Sequence, residues 1–264
     1  MAVRKAGRMA ASVAAVALLG AVVTGCDSDD DGDGDWMGGG KKSPSASAEP
    51  SDPAAKSPSP SQDTGPAAKV PPASVNDLAK VPTAVKGGVI TVGEPSAKHT
   101  VKVYEDPRCP FCKKFEENGA QALVAPLAAG DVKVEYTIAS FLDNNFGGDG
   151  SKNAANALRA AVDTGKFPQF HSALFTNQPE ESDDGFTPAF LLKVGAAAGI
   201  KDAAFDKAVT ANAHKAWVAT AMKAFTADGV SGTPTVEIDG KKAPADSLYD
   251  KADFAKALKD AGVS

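Results

Sequence analysis

Two cysteines, Cys109 and Cys112 in the run Cys109-Pro110-Phe111-Cys112, are the residues of this chain whose types and spacing point most directly to chemistry. Thiols at i and i+3 in a first helical turn can close a small disulfide ring and open it again by attack of a thiolate on sulfur. The run follows a strand-like stretch ended by Asp106-Pro107, and a helical pattern extends from Cys109 to about Val124. Cys109 therefore stands at a helix N-terminus, where unpaired N–H groups and the macrodipole favour a thiolate. Pro110 costs no hydrogen bond in the first turn and has its φ already set. Lys113 and Lys114 add positive charge nearby. The expectation is an exposed, nucleophilic Cys109 with a pKa below about 8.5, and a more buried Cys112 that resolves the mixed disulfide. Pro110 and Phe111 tune the couple. No His or charged donor stands between the thiols, so a potential of roughly −270 to −120 mV is expected.

The same two thiols could instead hold a soft metal. A tetrahedral zinc site usually needs four ligands, and the sequence has no second Cys pair. His99, His171 and His214 are widely spaced and show no ligand pattern, so they read as surface or capping residues. No metal and no cofactor is expected.

The elements that would position the thiols are legible from pattern. Residues 89–92, 100–105, 132–138 and 235–238 are β-branched and alternating, and read as strands. Asp239-Gly240 is a turn signal that leads to an expected fifth strand. Residues 151–228 are Ala-rich and helical, with breaks near 165–166, 179–185 and 199; a last helix covers about 251–261. Phe205, Val209, Ala213, Trp217, Ala221 and Phe225 recur every four residues and read as the core stripe of one helix, or else as a peptide groove beside the thiols. Asn144, Asn145, Gly147 and Gly148 read as a loop entering the helical block. The fold class is α/β: a mixed sheet with a helical insertion.

The runs Gly93-Glu94-Pro95-Ser96-Ala97, Val101-Lys102-Val103-Tyr104-Glu105-Asp106 and Cys109-Pro110-Phe111-Cys112-Lys113-Lys114-Phe115 resemble the start of DsbA-like thioredoxin-fold proteins. Far downstream, Val230-Ser231-Gly232-Thr233-Pro234-Thr235-Val236 looks like that family's cis-proline loop. The resemblance spans about residues 89–264 and implies a thioredoxin-like mixed sheet with an inserted helical domain near 148–228. It also implies a catalytic set of Cys109, Cys112 and Pro234, and a cis Thr233–Pro234 peptide packed against the cysteines. The main-chain groups of Thr233 would pair with an extended substrate peptide, and the proline would keep metal out of the thiol pair. Members often carry a buried acid six residues before the first Cys; here that position is Val103. A proton-relay role has either moved to Glu105 or Asp106 or is absent.

The rest of the chain concerns location. Its 264 residues carry a formal charge of −5 and show no basic patch, so nucleic acid is not an expected partner. Arg4, Lys5 and Arg8 precede a short apolar run, residues 9–23, that fits a secretory signal rather than a membrane span. The run ends in Val23-Thr24-Gly25-Cys26, which resembles a bacterial lipobox and marks Cys26 for lipid attachment. Residues 1–25 are then a signal segment. Residues 26–75, acidic and then rich in Ser, Pro and Ala, form a low-complexity tether, and residues 76–264 form the folded domain. The expected activity is that of an extracytoplasmic, membrane-anchored thiol–disulfide oxidoreductase, first as an oxidase of secreted proteins and second as a reductase or isomerase. Its partners would be reduced secreted substrates and a membrane redox protein. A soft-metal-binding lipoprotein, or a chaperone-like module with a vestigial redox pair, is the reading from another class.

Overall fold

The computed structural model describes residues 67–263. The Cys26 lipobox, the signal segment and the tether up to residue 66 lie outside the described residues. Among those described, no helix is long and apolar enough to cross a membrane.

Six strands form one mixed sheet: β1 (Thr83–Lys86), β2 (Val89–Val92), β3 (His99–Glu105), β4 (Val132–Ile138), β5 (Thr235–Ile238) and β6 (Lys241–Lys242), in spatial order β1-β2-β4-β3-β5-β6. Only β3 and β4 run parallel, with Val101 opposite Val134 and Val103 opposite Tyr136; the other pairs are antiparallel. The centre lies on β3 and β4, where Val101, Val103, Val132, Val134 and Ile138 are fully buried. The short outer strands carry exposed residues, including both lysines of β6, which blunts the edges. The four patterned strands stand where their β-branched runs place them. Strand β1, whose burial merely alternates between half-buried and exposed, is additional. The Gly87-Gly88 pair between β1 and β2 was the available sign of this hairpin.

Between β3 and β4 the chain forms α1 (Pro110–Glu117), a 3-10 turn (Gly119–Ala122) and α2 (Val124–Ala129), where the sequence pattern suggests one helix to Val124. The break has a steric cause. The backbone at Gly119 passes so close to the 3-10 turn Ala245–Tyr249 that a Cβ would sit 2.2 Å from the Leu248 carbonyl oxygen. Pro126, a helix terminator by pattern, instead occupies the first turn of α2, where no N–H partner is required. Gly130 ends α2 in the left-handed conformation, φ 81°.

From β4 the chain passes through α3 (Leu142–Phe146), α4 (Gly150–Asp163), α5 (Phe167–Thr176), α6 (Pro188–Ala197), α7 (Ala203–Thr210) and α8 (Lys215–Ala227) before returning to β5; α9 (Lys251–Asp260) closes the fold. Alanines 154, 155, 157, 160 and 161 make α4 thin enough for α5, α7 and α8 to pack around it. Large aromatic side chains fill the spaces between helices: Phe170 meets Phe205 edge-on at 5.4 Å. The stripe from Phe205 to Phe225 is not one helix. The chain breaks after α7, with Asn212 at φ 49° and the His214 N–H donating to Asn156 Oδ1 at 2.7 Å. Val218 thus takes a core position, whereas Ala213 is exposed.

Packing begins ahead of α1. Lys69 exchanges two main-chain hydrogen bonds with the Asn177 side chain, and Val75, in the 3-10 turn Ala73–Leu78, is buried.

Candidate active site

Cys109 is the N-cap of α1, with extended backbone (φ −70°, ψ 118°), and Pro110 opens the helix. Its N–H donates to the Asp106 carbonyl at 2.9 Å, which turns the chain out of β3 and into α1. The thiol is not exposed, contrary to expectation: Cys109 is 6% exposed and Cys112 0%. The difference between them survives in their chemistry. The Cys112 thiol donates to the Cys109 sulfur and, opposed by burial, draws its pKa down to about 6, helped by Thr233 and by the N–H groups of Cys112 and Phe111. Burial pushes the Cys112 thiol well up, and its bond to Cys109 adds to this. Lys113 and Lys114 are not the main source of the lowering; the Lys114 ammonium lies over the Tyr249 ring, 4.9 Å from its centre.

The Thr233–Pro234 peptide is cis, as expected, and delivers the Thr233 carbonyl oxygen to 3.3 Å from Cys109 Sγ. In the thiol form the S–H donates to that carbonyl. The carbonyl itself does not favour the thiolate, so the lowered pKa of Cys109 rests on the Cys112 thiol, the Thr233 side chain and the N–H groups at the helix N-terminus. Cys109, Cys112, Thr233 and Pro234 are therefore brought together. Phe111 projects from the motif, 57% exposed, with its ring 6.1 Å from that of Tyr249.

A buried polar frame holds the motif loop. Gln178 Nε2 donates to the carbonyls of Pro107 (2.7 Å) and Cys109 (2.9 Å). Arg108, 1% exposed, donates from Nη1 to Asp143 Oδ1 and the Gly147 carbonyl, and from Nε to the Glu181 carbonyl. Asp143 also accepts the N–H groups of Ser151 and Lys152 and so caps α4. Asp106 accepts from Ser151 Oγ at 2.6 Å and from the Arg108 and Leu142 N–H groups; burial still raises its pKa to about 6. Asp106 is thus tied up as a structural acceptor. Asn144 and Asn145, read as loop, lie in α3, whereas Gly147 and Gly148 form the loop that follows it, and the Gly147 carbonyl serves Arg108.

Beneath the thiols lies a second titratable group. His171 on α5 is 4% exposed and not a surface residue. Its Nε2 is 2.6 Å from Glu105 Oε1 at the end of β3, and its Nδ1 faces Glu116 Oε2 of α1 at 3.7 Å. Burial raises Glu105 well above the carboxylate range and Glu116 to about 8, and it lowers His171. Charge coupling links Glu105 to both cysteines. A ligand set for a metal ion could be drawn from Glu105, Glu116 and His171, but the imidazole turns its two nitrogens toward different carboxyls, which suits proton sharing better than one ion. His171 had a signal in sequence: with Phe167, Phe170 and Leu174 it shares the apolar face of α5.

Comparison with known proteins places the fold. The thioredoxin family model matches residues 85–260. Disulfide bond formation protein D of Bacillus subtilis is 32% identical over 119 residues, 44% of this chain. The chain spans about half the length of that curated relative, 51%. Among solved structures, oxidised BdbD from Bacillus subtilis superposes with a TM-score of 0.56 at 21% identity, covering 75% of this chain and 98% of that one. The reduced form of the disulfide bond oxidoreductase DsbG from Mycobacterium tuberculosis gives 0.53 at 26% identity, covering 72% and 94%.

Proposed function

The chain belongs to the thioredoxin family, in its DsbA-like form, and from that premise we propose that it is an extracytoplasmic thiol–disulfide oxidoreductase that oxidises cysteines of secreted proteins. The single observation that carries the reading is the site of Cys109: a helix N-cap sulfur 3.3 Å from the Thr233 carbonyl in the cis-proline loop, with a fully buried Cys112 behind it.

A substrate thiolate attacks Cys109 Sγ in the oxidised couple; the Cys109–Cys112 bond breaks and Cys112 leaves and is protonated. A second substrate thiolate attacks the substrate sulfur of the mixed disulfide, and Cys109 departs as a thiolate. The substrate loses two electrons and the enzyme becomes a dithiol, the form found here. Stabilising the departing Cys109 thiolate favours the reduced enzyme and makes the disulfide the stronger oxidant. Thr233 and Pro234 would align the substrate main chain, and Phe111 would lie along its flank. A lipid on Cys26 would hold the domain at the membrane, where a membrane redox protein would reoxidise it.

The test is direct. Oxidised protein mixed with a reduced, unfolded substrate protein is expected to introduce disulfides. Cys112→Ala is expected to accumulate mixed disulfides through Cys109, and Cys109→Ala almost none. Equal trapping by the two variants would reject the assignment.

A further inference from the structure

Gln178 lies just beyond α5, in the helical insertion, and its side chain reaches across to the thiol motif. We propose that Gln178 is a positioning residue for disulfide exchange: its amide fixes the main chain around Cys109 so that the sulfur stays over the first N–H groups of α1. This rests on the redox reading above and adds a residue to the same site.

The motif loop is short of donors. Pro107 and Pro110 have no N–H. The Asp106 carbonyl takes the Cys109 N–H at 2.9 Å, and the Cys109 carbonyl takes those of Cys112 and Lys113 at 3.1 and 3.2 Å. The buried Pro107 carbonyl receives no main-chain donor; among the described residues it bonds only to Gln178 Nε2, at 2.7 Å. The same nitrogen donates to the Cys109 carbonyl at 2.9 Å. Both partners are carbonyl oxygens, so the amide nitrogen and not its oxygen has to face them. The two bonds fix the peptide planes that enter Arg108 and leave Cys109.

Gln178 is itself held. Its N–H donates to the Phe175 carbonyl at 3.1 Å. The Asn177 side chain, one residue earlier, accepts the Lys69 N–H at 2.6 Å and donates to the carbonyls of Lys69 and Ala173, each at 2.8 Å. Three residues after Gln178, the Glu181 carbonyl accepts from Arg108 Nε at 3.0 Å. Residues 177–181 thus grip Arg108 by its side chain and by the main chain on either side of it, and the chain around Lys69 braces that grip.

The chemical consequence falls on the sulfur. The N–H groups of Phe111 and Cys112 help to lower the Cys109 pKa. Their effect depends on distance and angle, and the plane leaving Cys109 sets both. Three other titratable groups interact with Cys109: Cys112 on α1, Glu105 at the end of β3 and Tyr249 in the 3-10 turn before α9. Arg108 is committed to Asp143. Gln178 hydrogen-bonds to none of these side chains, so removing its donors changes the alignment of the motif and leaves those partners in place.

The test compares two full-length variants. Gln178→Met has a similar length and no donors; Gln178→Lys keeps donors on a longer stem. In Gln178→Met the pH midpoint of Cys109 alkylation is expected to rise by about one unit. At pH 7 its glutathione equilibrium should then shift about fivefold toward the disulfide, or about 20 mV more reducing. Gln178→Lys is expected to hold the wild-type midpoint or to lower it. A wild-type midpoint in Gln178→Met would overturn the role, and so would an equal rise in both variants, because lost packing does not discriminate between donors and their absence. If neither variant folds, nuclear magnetic resonance of the wild type decides. The Gln178 side-chain amide protons are expected to exchange slowly with water and to shift as Cys109 ionises. Fast exchange, or resonances unmoved by that ionisation, would overturn the role. A wild-type protein that exchanges no disulfide at all would instead overturn the redox reading, while the amide titration still tests Gln178.

Discussion

Cys109 and Thr233, 124 residues apart in sequence, meet at 3.3 Å between sulfur and main-chain carbonyl oxygen. That contact joins the turn out of β3 to the turn into β5. Strands β3 and β5 are hydrogen-bonded neighbours, with Tyr104 opposite Thr235, so the sheet itself sets the approach.

The reactivity of the pair follows from its electrostatics. Iodoacetamide labelling of the reduced protein is expected to follow a single ionisation at about pH 6 and to fall on Cys109. Cys112, buried and raised, should stay unlabelled through neutral pH. Faster modification of Cys112 at pH 6 would reverse the roles of nucleophile and resolver.

Stability should depend on pH differently in the two redox forms. In the folded dithiol Cys109 loses its proton near pH 6, whereas the unfolded thiol keeps it to about 8.5. Between those values the unfolded chain binds more protons, so the stability of the reduced form rises with pH. The disulfide form lacks this contribution. Urea unfolding at pH 6, 7 and 8 should therefore show the reduced form gaining on the oxidised one, by up to about 1.4 kcal/mol per pH unit. A constant difference across that range would contradict the lowered pKa.

Glu116 has the opposite sign. Its pKa, about 8 in the fold, exceeds its unfolded value, so the stability from keeping it protonated is complete below about 4.5. That stability is lost as pH rises through 8. Glu116→Gln removes the titration, and the variant's melting temperature relative to wild type is expected to climb from pH 5 to pH 8. A pH-independent difference would place the carboxyl's pKa near its ordinary value.

Arg108 is predicted to be the keystone of the motif loop. Arg108→Met leaves Asp143 buried without its cation and should cost about 3–5 kcal/mol in chemical denaturation. Arg108→Lys keeps the charge but not the forked donors that reach Asp143, Gly147 and Glu181, and should recover only part of the loss. A loss below about 1 kcal/mol for Arg108→Met would show the ion pair to be incidental.

Lipid attachment at Cys26 is testable by labelled palmitate in a bacterial host. The wild type is expected to be labelled and to sediment with membranes, and Cys26→Ser to be released. Equal membrane retention of the two would remove the anchor from the account.

The four patterned strands, the thiol motif and the cis-proline loop were legible because each depends on local residue type: β-branched alternation, Cys at i and i+3, Gly-Thr-Pro-Thr ahead of a strand. Of the buried carboxyl–imidazole cluster, only Glu105 was marked in sequence, as a candidate proton relay. Glu105, Glu116 and His171 converge only when α5 of the insertion packs against α1, and no local pattern states that contact. The same holds for Arg108 and Asp143, 35 residues apart. The split at Gly119 is dictated by the Leu248 carbonyl, from a turn more than a hundred residues downstream.

The central claim is that Cys109 and Cys112 form an exchangeable redox couple and not a structural disulfide. Equilibration of the purified protein with glutathione buffers of graded composition, quenched by acid and followed by thiol labelling, measures it most directly. A single two-electron transition between roughly −270 and −120 mV is predicted. A potential below about −300 mV, in the range of structural disulfides, would contradict it.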